Sequence, residues 1–294
     1  MVYNDNAILL LYYIHNSKFR IYIAINPKIS FILKGDSMHI DDIIHVATDA
    51  GKIILENGGE TYRVEQTITM ICKSYGISHT ESFVTPTGIM VSITNNQNKT
   101  ISLVRRINNR TVNLRKVEMI NDLSRKIMSK PISTNDMRKE IEFINNIPPY
   151  SQITTTFFAA GSSGFFTLLF GGNYKDFFVA FIIGALINFL GGCLDKLEVN
   201  GFLKNMLGGA LAATIAIIAA SLGLVGNMNT IIIGSIMILV PGISITNAIR
   251  DTIAGDLVSG VSRSVEALFV AIAIAAGTSI AFKIWVLLFG GGLI

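Results

Sequence analysis

Charge is what this chain lacks most. Only 15% of its 294 residues are Asp, Glu, Lys or Arg, where a soluble protein carries about a quarter. The shortage is uneven: of the 24 lysines and arginines, six (Lys175, Lys196, Lys204, Arg250, Arg263 and Lys283) follow Ile153. Cysteine is nearly absent. Cys72 and Cys193 stand far apart with no CxxC spacing, which excludes a disulfide framework and a cysteine-based zinc site. The four histidines, His15, His39, His45 and His79, form no HExxH, so no metal site is read. No Walker A sequence, Gly-rich phosphate loop or GxSxG elbow occurs, so the sequence shows neither a nucleotide-hydrolysing site nor a nucleophile elbow. Nor is there a basic stripe interleaved with aromatics. The net charge of +4 therefore reads as membrane orientation rather than nucleic-acid binding. No cofactor is implied.

What is present is a long apolar second half. Five segments, at about 152–172, 177–194, 202–222, 228–249 and 265–288, each approach the ~20 residues a helix needs to cross a bilayer. Gly161, Gly164, Gly184, Gly191, Gly192, Gly208, Gly209 and Gly234 recur inside them and allow helices to approach closely, which predicts a bundle. Lys196, Lys204, Arg250 and Arg263 flank the second and fourth connections, while Lys175 and Lys283 mark the other side. The positive-inside rule then puts those two connections and everything before residue 150 in the cytoplasm, with the C-terminus and Trp285 at the outer face. Arg263 reads as one of these interfacial anchors.

Residues before 150 have a different texture. The tail, 1–37, holds an apolar run broken by Lys18 and Arg20, too short and charged for a span. We read it as a disordered or non-native extension, with Met38 as the natural start. From 38 to 149 the spacing predicts helices at 39–57 and 61–75, strands at 80–85, 89–94 and 100–107, and helices at 113–129 and 134–145. The fold class expected is therefore an α+β cytoplasmic domain (38–149) followed by an all-α membrane bundle of about five transmembrane helices (150–294). The first domain contains ENGGETYRVE and ESFVTPTG, where polar groups cluster. Glu56, Glu60 and Glu65 could share a face, and Ser82 is a conceivable nucleophile. No base with a partner can be assigned to them, and helix capping, surface carboxylates and a turn explain the same residues.

The stretch that organises the membrane half is IIIGSIMILVPGISITNAIRDTIAGDLVSGVSR, from Ile231 to Arg263. Pro241-Gly242 interrupts an apolar run, and Asn247, Arg250, Asp251 and Asp256 follow. Proline removes a backbone donor and clashes with the preceding turn, so the helix should break here. A broken helix in hydrocarbon is tolerated where it is buried in protein or lines a wet cavity, and transporters build substrate sites from such breaks. We assign Asn247 to the transport pathway and Asn188, an amide in the second segment, to helix–helix contact. Asp251 or Asp256 would carry a coupling proton, because burial beside the break raises a carboxyl pKa. Arg250 would hold a substrate carboxylate, and the unwound backbone at Pro241 and Gly242 its amino or hydroxyl end. The competing reading makes these charges part of a cytoplasmic loop.

Together the ENGGETYRVE stretch (Glu56, Asn57, Gly58, Glu60, Thr61, Arg63, Glu65), the ESFVTPTG stretch (Pro86, Gly88) and LVPGISITNAIRD…GDLVSG resemble the threonine/serine exporter (ThrE) family, from residue 38 to the end. The resemblance implies a non-enzymatic, multi-pass transport component of a bacterial plasma membrane. Long members continue with a second set of about five helices. This chain resembles the larger part of split systems, whose partner is a small all-membrane subunit, and the resemblance implies an oligomeric assembly. The substrate implied is threonine or serine, with succinate or a similar dicarboxylate as the alternative. A membrane-tethered hydrolase or sensor, acting through residues 38–149, is the reading the resemblance disfavours.

Overall fold

A computed structural model describes residues 9–15, 18–24, 40–95 and 97–290. The chain divides into two compact units, Met1–Ile147 and Pro148–Ile294. In the first, β1 (Leu9–His15) and β2 (Lys18–Ala24) pair antiparallel, Leu9 opposite Ala24 and His15 opposite Lys18. The sequence reading assigned no element to this stretch. Met38, the expected start, lies outside the described residues.

The rest of this unit runs α1 (Ile40–Glu56), α2 (Thr61–Ser74), β3 (His79–Thr85), β4 (Gly88–Thr94), β5 (Thr100–Arg106), α3 (Leu114–Ser129) and α4 (Thr134–Asn145). Apolar residues at helical spacing put Ile43, Ile44, Ala47, Ala50 and Ile54 of α1 in the core. The strands form an antiparallel sheet in the order β3-β4-β5. Their alternation buries Val84, Ile89, Val91 and Ile93 against the helices. The opposite face carries Phe83, Met90 and Val104 in one cross-strand row, all exposed. Gly58, with φ +91°, ends α1 in the left-handed conformation that glycine adopts without penalty.

The second unit is helical: α5 (Gln152–Leu169), α6 (Tyr174–Lys196), α7 (Gly201–Ser221), α8 (Met228–Ile236) with a 3-10 turn (Met237–Leu239), α9 (Gly242–Ala254) and α10 (Leu257–Phe289). Three of these, α6, α7 and α10, are long and apolar enough to cross a membrane, and the α8–α9 pair makes a fourth if its bent halves are one span. The expectation was about five; the segment that does not reach this length and hydropathy is the first, α5. The run beginning at Gln152 is a helix of 18 residues, but Gln152, Thr154, Thr155, Thr156, Ser162 and Ser163 dilute its hydrophobicity. A correction concerns 250–264, expected to be a connection. It is helical apart from Gly255 and Asp256, so α10 has 33 residues, a length of about 50 Å where hydrocarbon is about 30 Å thick.

The bundle packs through small residues. A Cβ on Gly209 would lie 2.6 Å from the Ile274 carbonyl oxygen, and one on Gly277 would overlap that of Met206, so α7 and α10 touch backbone to backbone. Ala180, Ile183, Ala212, Ala216 and Ile231 fill the centre. Phe157, Phe158, Phe165, Phe178 and Phe189 point outward and are exposed, as suits side chains facing lipid rather than water.

Candidate functional site

The break falls where the sequence places it. Helix α8 tightens into the 3-10 turn, Val240 and Pro241 leave helical geometry, and α9 departs at 63°. Ile245 regains a backbone bond by donating to the Pro241 carbonyl at 3.0 Å. An apolar cavity of about 410 Å3, lined by Ile236, Val240, Pro241, Ala267, Ala271 and Thr278, adjoins the break.

Helix α9 separates the charged residues by face. Asn247, Ala248 and Asp251 are buried, one turn apart, whereas Arg250 is exposed. Gly255, with φ +95°, turns the chain, and Asp256 leads into α10 half-exposed. Close packing follows: a Cβ on Gly260 would collide with the Thr252 hydroxyl and lie 3.1 Å from the Ala248 carbonyl. The turn carries Arg263 back onto Asp251, Nε to Oδ2 at 3.1 Å, with side chains 6% and 0% exposed. Arg263 is therefore no interfacial anchor; it is the buried counter-charge of Asp251. Its place was readable in principle, because Ser259, Gly260, Arg263 and Ala267 form one stripe along α10, and the stripe is buried. An arginine at helical spacing among small residues faces the bundle.

Asn188 accepts hydrogen bonds from Thr156 at 2.9 Å, Gln152 at 3.2 Å and Thr155 at 3.3 Å, tying α6 to α5. Sequence reasoning missed Asp176. It is 1% exposed and closes a capping box with Asn173 at the start of α6. Across the bundle it accepts from the Gly226 and Asn227 backbone N–H groups at 2.7 and 3.4 Å. The Asn173-x-x-Asp176 spacing was the available signal.

In the first unit the two polar motifs meet. Glu65 on α2 accepts the Val84 N–H of β3 at 3.1 Å. Asn57 is buried and donates to the Ile53 carbonyl at 2.7 Å, while its own carbonyl and that of Glu56 accept from Asn113 and Thr111. Glu60, 8% exposed, accepts from Arg63 Nε at 2.7 Å, and this bond raises the arginine's pKa further. Thr61 is fully buried, Pro86 is buried in the β3–β4 turn, and Gly88 pairs with Thr85. Burial pushes the Cys72 thiol up to about 11 and the Tyr75 hydroxyl to about 12. A groove of about 1110 Å3 runs between α2 and the sheet; Tyr62, Glu65, Lys73, Ser82 and Phe83 line it, and none of its lining residues is a histidine. Among the described residues that line the groove, none offers Ser82 an imidazole base. Among the described residues no three His, Cys, Asp or Glu side chains group to hold a metal.

Several apolar helices, a bundle closed through glycines, and a helix broken beside a buried ion pair define a multi-pass helical membrane protein. Comparison with known proteins narrows this. Residues 45–285 match a family described as "Putative threonine/serine exporter" (ThrE), and the chain belongs to that family. A "Probable threonine/serine exporter" of Mycobacterium tuberculosis is 21% identical over 250 residues, covering 84% of this chain and 47% of the relative. The "Threonine/serine exporter" of Corynebacterium glutamicum is 23% identical over 256 residues, covering 85% and 52%. A "Probable succinate transporter subunit YjjP" of Klebsiella aerogenes is 21% identical over 233 residues, covering 79% and 90%. The chain thus spans about half the length of the two threonine/serine exporters. No solved structure matches it.

Proposed function

We propose that the chain is one component of an exporter of threonine and serine in a bacterial plasma membrane, completed by a second, small membrane subunit. The observation that carries the reading is the Pro241 break beside the fully buried Asp251–Arg263 pair. Moving an ion pair out of water costs several kcal/mol per ion, so a membrane protein that keeps one in its interior is using it. Asp251 is the proton carrier in this scheme. Arg263 is the charge that its protonation releases, and Asn247 shares its face. Arg250, exposed, and Asp256, half-exposed, are contacts for substrate or the partner subunit. Coverage of about half of the long relatives and 90% of a transporter subunit supports the two-part assembly.

The orientation we propose follows the basic residues. The first unit and the 196–204 connection face the cytoplasm, the C-terminus lies outside, and α5 completes a fifth crossing. The first unit has an assembly or sensing role rather than a catalytic one, because its polar motifs are occupied by structural bonds.

The test is export from cells lacking their own exporters, fed Ser- or Thr-containing dipeptides, with this chain alone and with a small partner of the same family. Extracellular threonine or serine should rise only when both are present. The succinate transporter subunit among the relatives motivates a second reading, so the same cells are assayed for succinate. Release of succinate without amino acids would overturn the amino-acid assignment, and release of neither would overturn export.

A further inference from the structure

A second cavity, of about 540 Å3, is lined in part by Ile238 and Leu239 just before the break. Its size suits a small-molecule site. Its lining is polar: Gln152, Asn188, Asp195, Lys204 and Asn205, closed by Leu239 just before the broken backbone. Local sequence explains the assembly. Asn188, Gly191, Gly192 and Asp195 fall at i, i+3, i+4 and i+7, so one face of α6 presents an amide, two glycines and a carboxylate. The glycines make the space. A Cβ on Gly191 would lie 3.2 Å from Lys204 Cε, and one on Gly192 would lie 2.7 Å from Gln152 Nε2.

The charges decide what fits. Lys204 Nζ contacts both Asp195 oxygens at 2.8 Å, and these are the only cation and the only carboxylate of the lining. The pair is not buried, with side chains 32% and 63% exposed, so it can open to a ligand at modest cost. A lining with one charge of each sign complements a zwitterion: the carboxylate takes Lys204 and the ammonium takes Asp195. A dianion would find a single cation and an opposing carboxylate, an arrangement that selects against it. The amide of Asn205 lines the same space and suits a short polar side chain, while that of Gln152 already donates to Asn188. We infer that this cavity is the binding site for a small zwitterionic α-amino acid, with Lys204 and Asp195 as the residues that reject dicarboxylates. The inference rests on the export reading above and fixes the substrate class within it.

The test is uptake of labelled threonine into inverted membrane vesicles from cells expressing the full chain with a small partner subunit. Lys204→Gln and Asp195→Asn should each raise the half-saturating threonine concentration by about tenfold or more. Gly191→Ser, which crowds Lys204, should raise it too, and excess succinate should leave uptake unchanged. Membrane abundance of each variant is measured alongside; if Lys204→Gln does not fold, Gly191→Ser and Asp195→Asn carry the test. Unchanged half-saturation in the folded variants, or competition by succinate equal to that by serine, overturns the inference while export stands. Wild-type vesicles that accumulate no threonine or serine overturn both.

Discussion

Asp251 and Arg263 show what a single buried contact asks of its neighbours. Removing one partner strands the other in an apolar interior, at about 3–5 kcal/mol, whereas neutralising both can be close to neutral. Arg263→Gln and Asp251→Asn should therefore each lower membrane abundance. The double variant Asp251→Asn/Arg263→Gln should recover abundance without recovering export, as immunoblot and the export assay will show. Cys72 gives a second prediction at this scale. Its thiol is neutral when folded up to about pH 11, against an ordinary value of 9.0. A group whose folded pKa is raised contributes stability below the unfolded pKa and loses it as pH rises to the folded one, here from about 9 to 11, an effect of about 3 kcal/mol. The thermal midpoint difference between wild type and Cys72→Ala should shrink between pH 8 and 10.5. Single residues were the least legible part of the sequence. Asp251 was singled out but could not be ranked above Asp256, and Arg263 was misplaced, because both depend on a turn at Gly255 that brings together residues twelve apart.

Secondary elements were far more legible. Periodicity located α1 to α4 and the three strands to within a residue or so, since each buries one face against a single core. The break at Pro241 was legible for a covalent reason, the missing N–H. The hairpin of β1 and β2 was not, and neither was the full reach of α10, whose first two turns carry charge and were taken for a loop. Element packing yields a prediction with its own control. Gly277→Leu drives a side chain into the Met206 carbonyl, which is backbone and cannot rotate away, so α7 and α10 must separate. The bundle should lose several degrees of thermal midpoint or fail to accumulate. Gly161 meets nothing within 4 Å; Gly161→Ala should be neutral or stabilise by up to about 1 kcal/mol, as helical glycine replacement does.

For the whole molecule, the two ends of the bundle are unlike. One end is tied: Asp176 holds the Gly226 and Asn227 amides and closes its own capping box. The other carries Asp195, Lys204 and the open polar cavity. Asp176→Ala should release two loops at once and cost about 2–3 kcal/mol, given about 1 kcal/mol for each bond or cap lost, read as a lower melting temperature in detergent. The same asymmetry makes the orientation testable. Cysteines placed at Leu224 and Leu197 of a cysteine-free background should label from opposite sides of intact cells, Leu224 from outside. The division into a charged unit and an apolar one was plain from composition alone. The number of crossings was not, because the hydroxyls and the Gln152 amide of α5 offset much of the apolar surface that would hold it in hydrocarbon.

The scarcity of cysteine has a practical consequence. Cys72 is buried and held as a thiol, while Cys193 is exposed on α6 between Gly192 and Asp195 of the polar cavity. A maleimide fluorophore should couple once to the native chain and twice after denaturation, giving a reporter beside the proposed binding site without engineering. Its emission would then follow each turnover in real time.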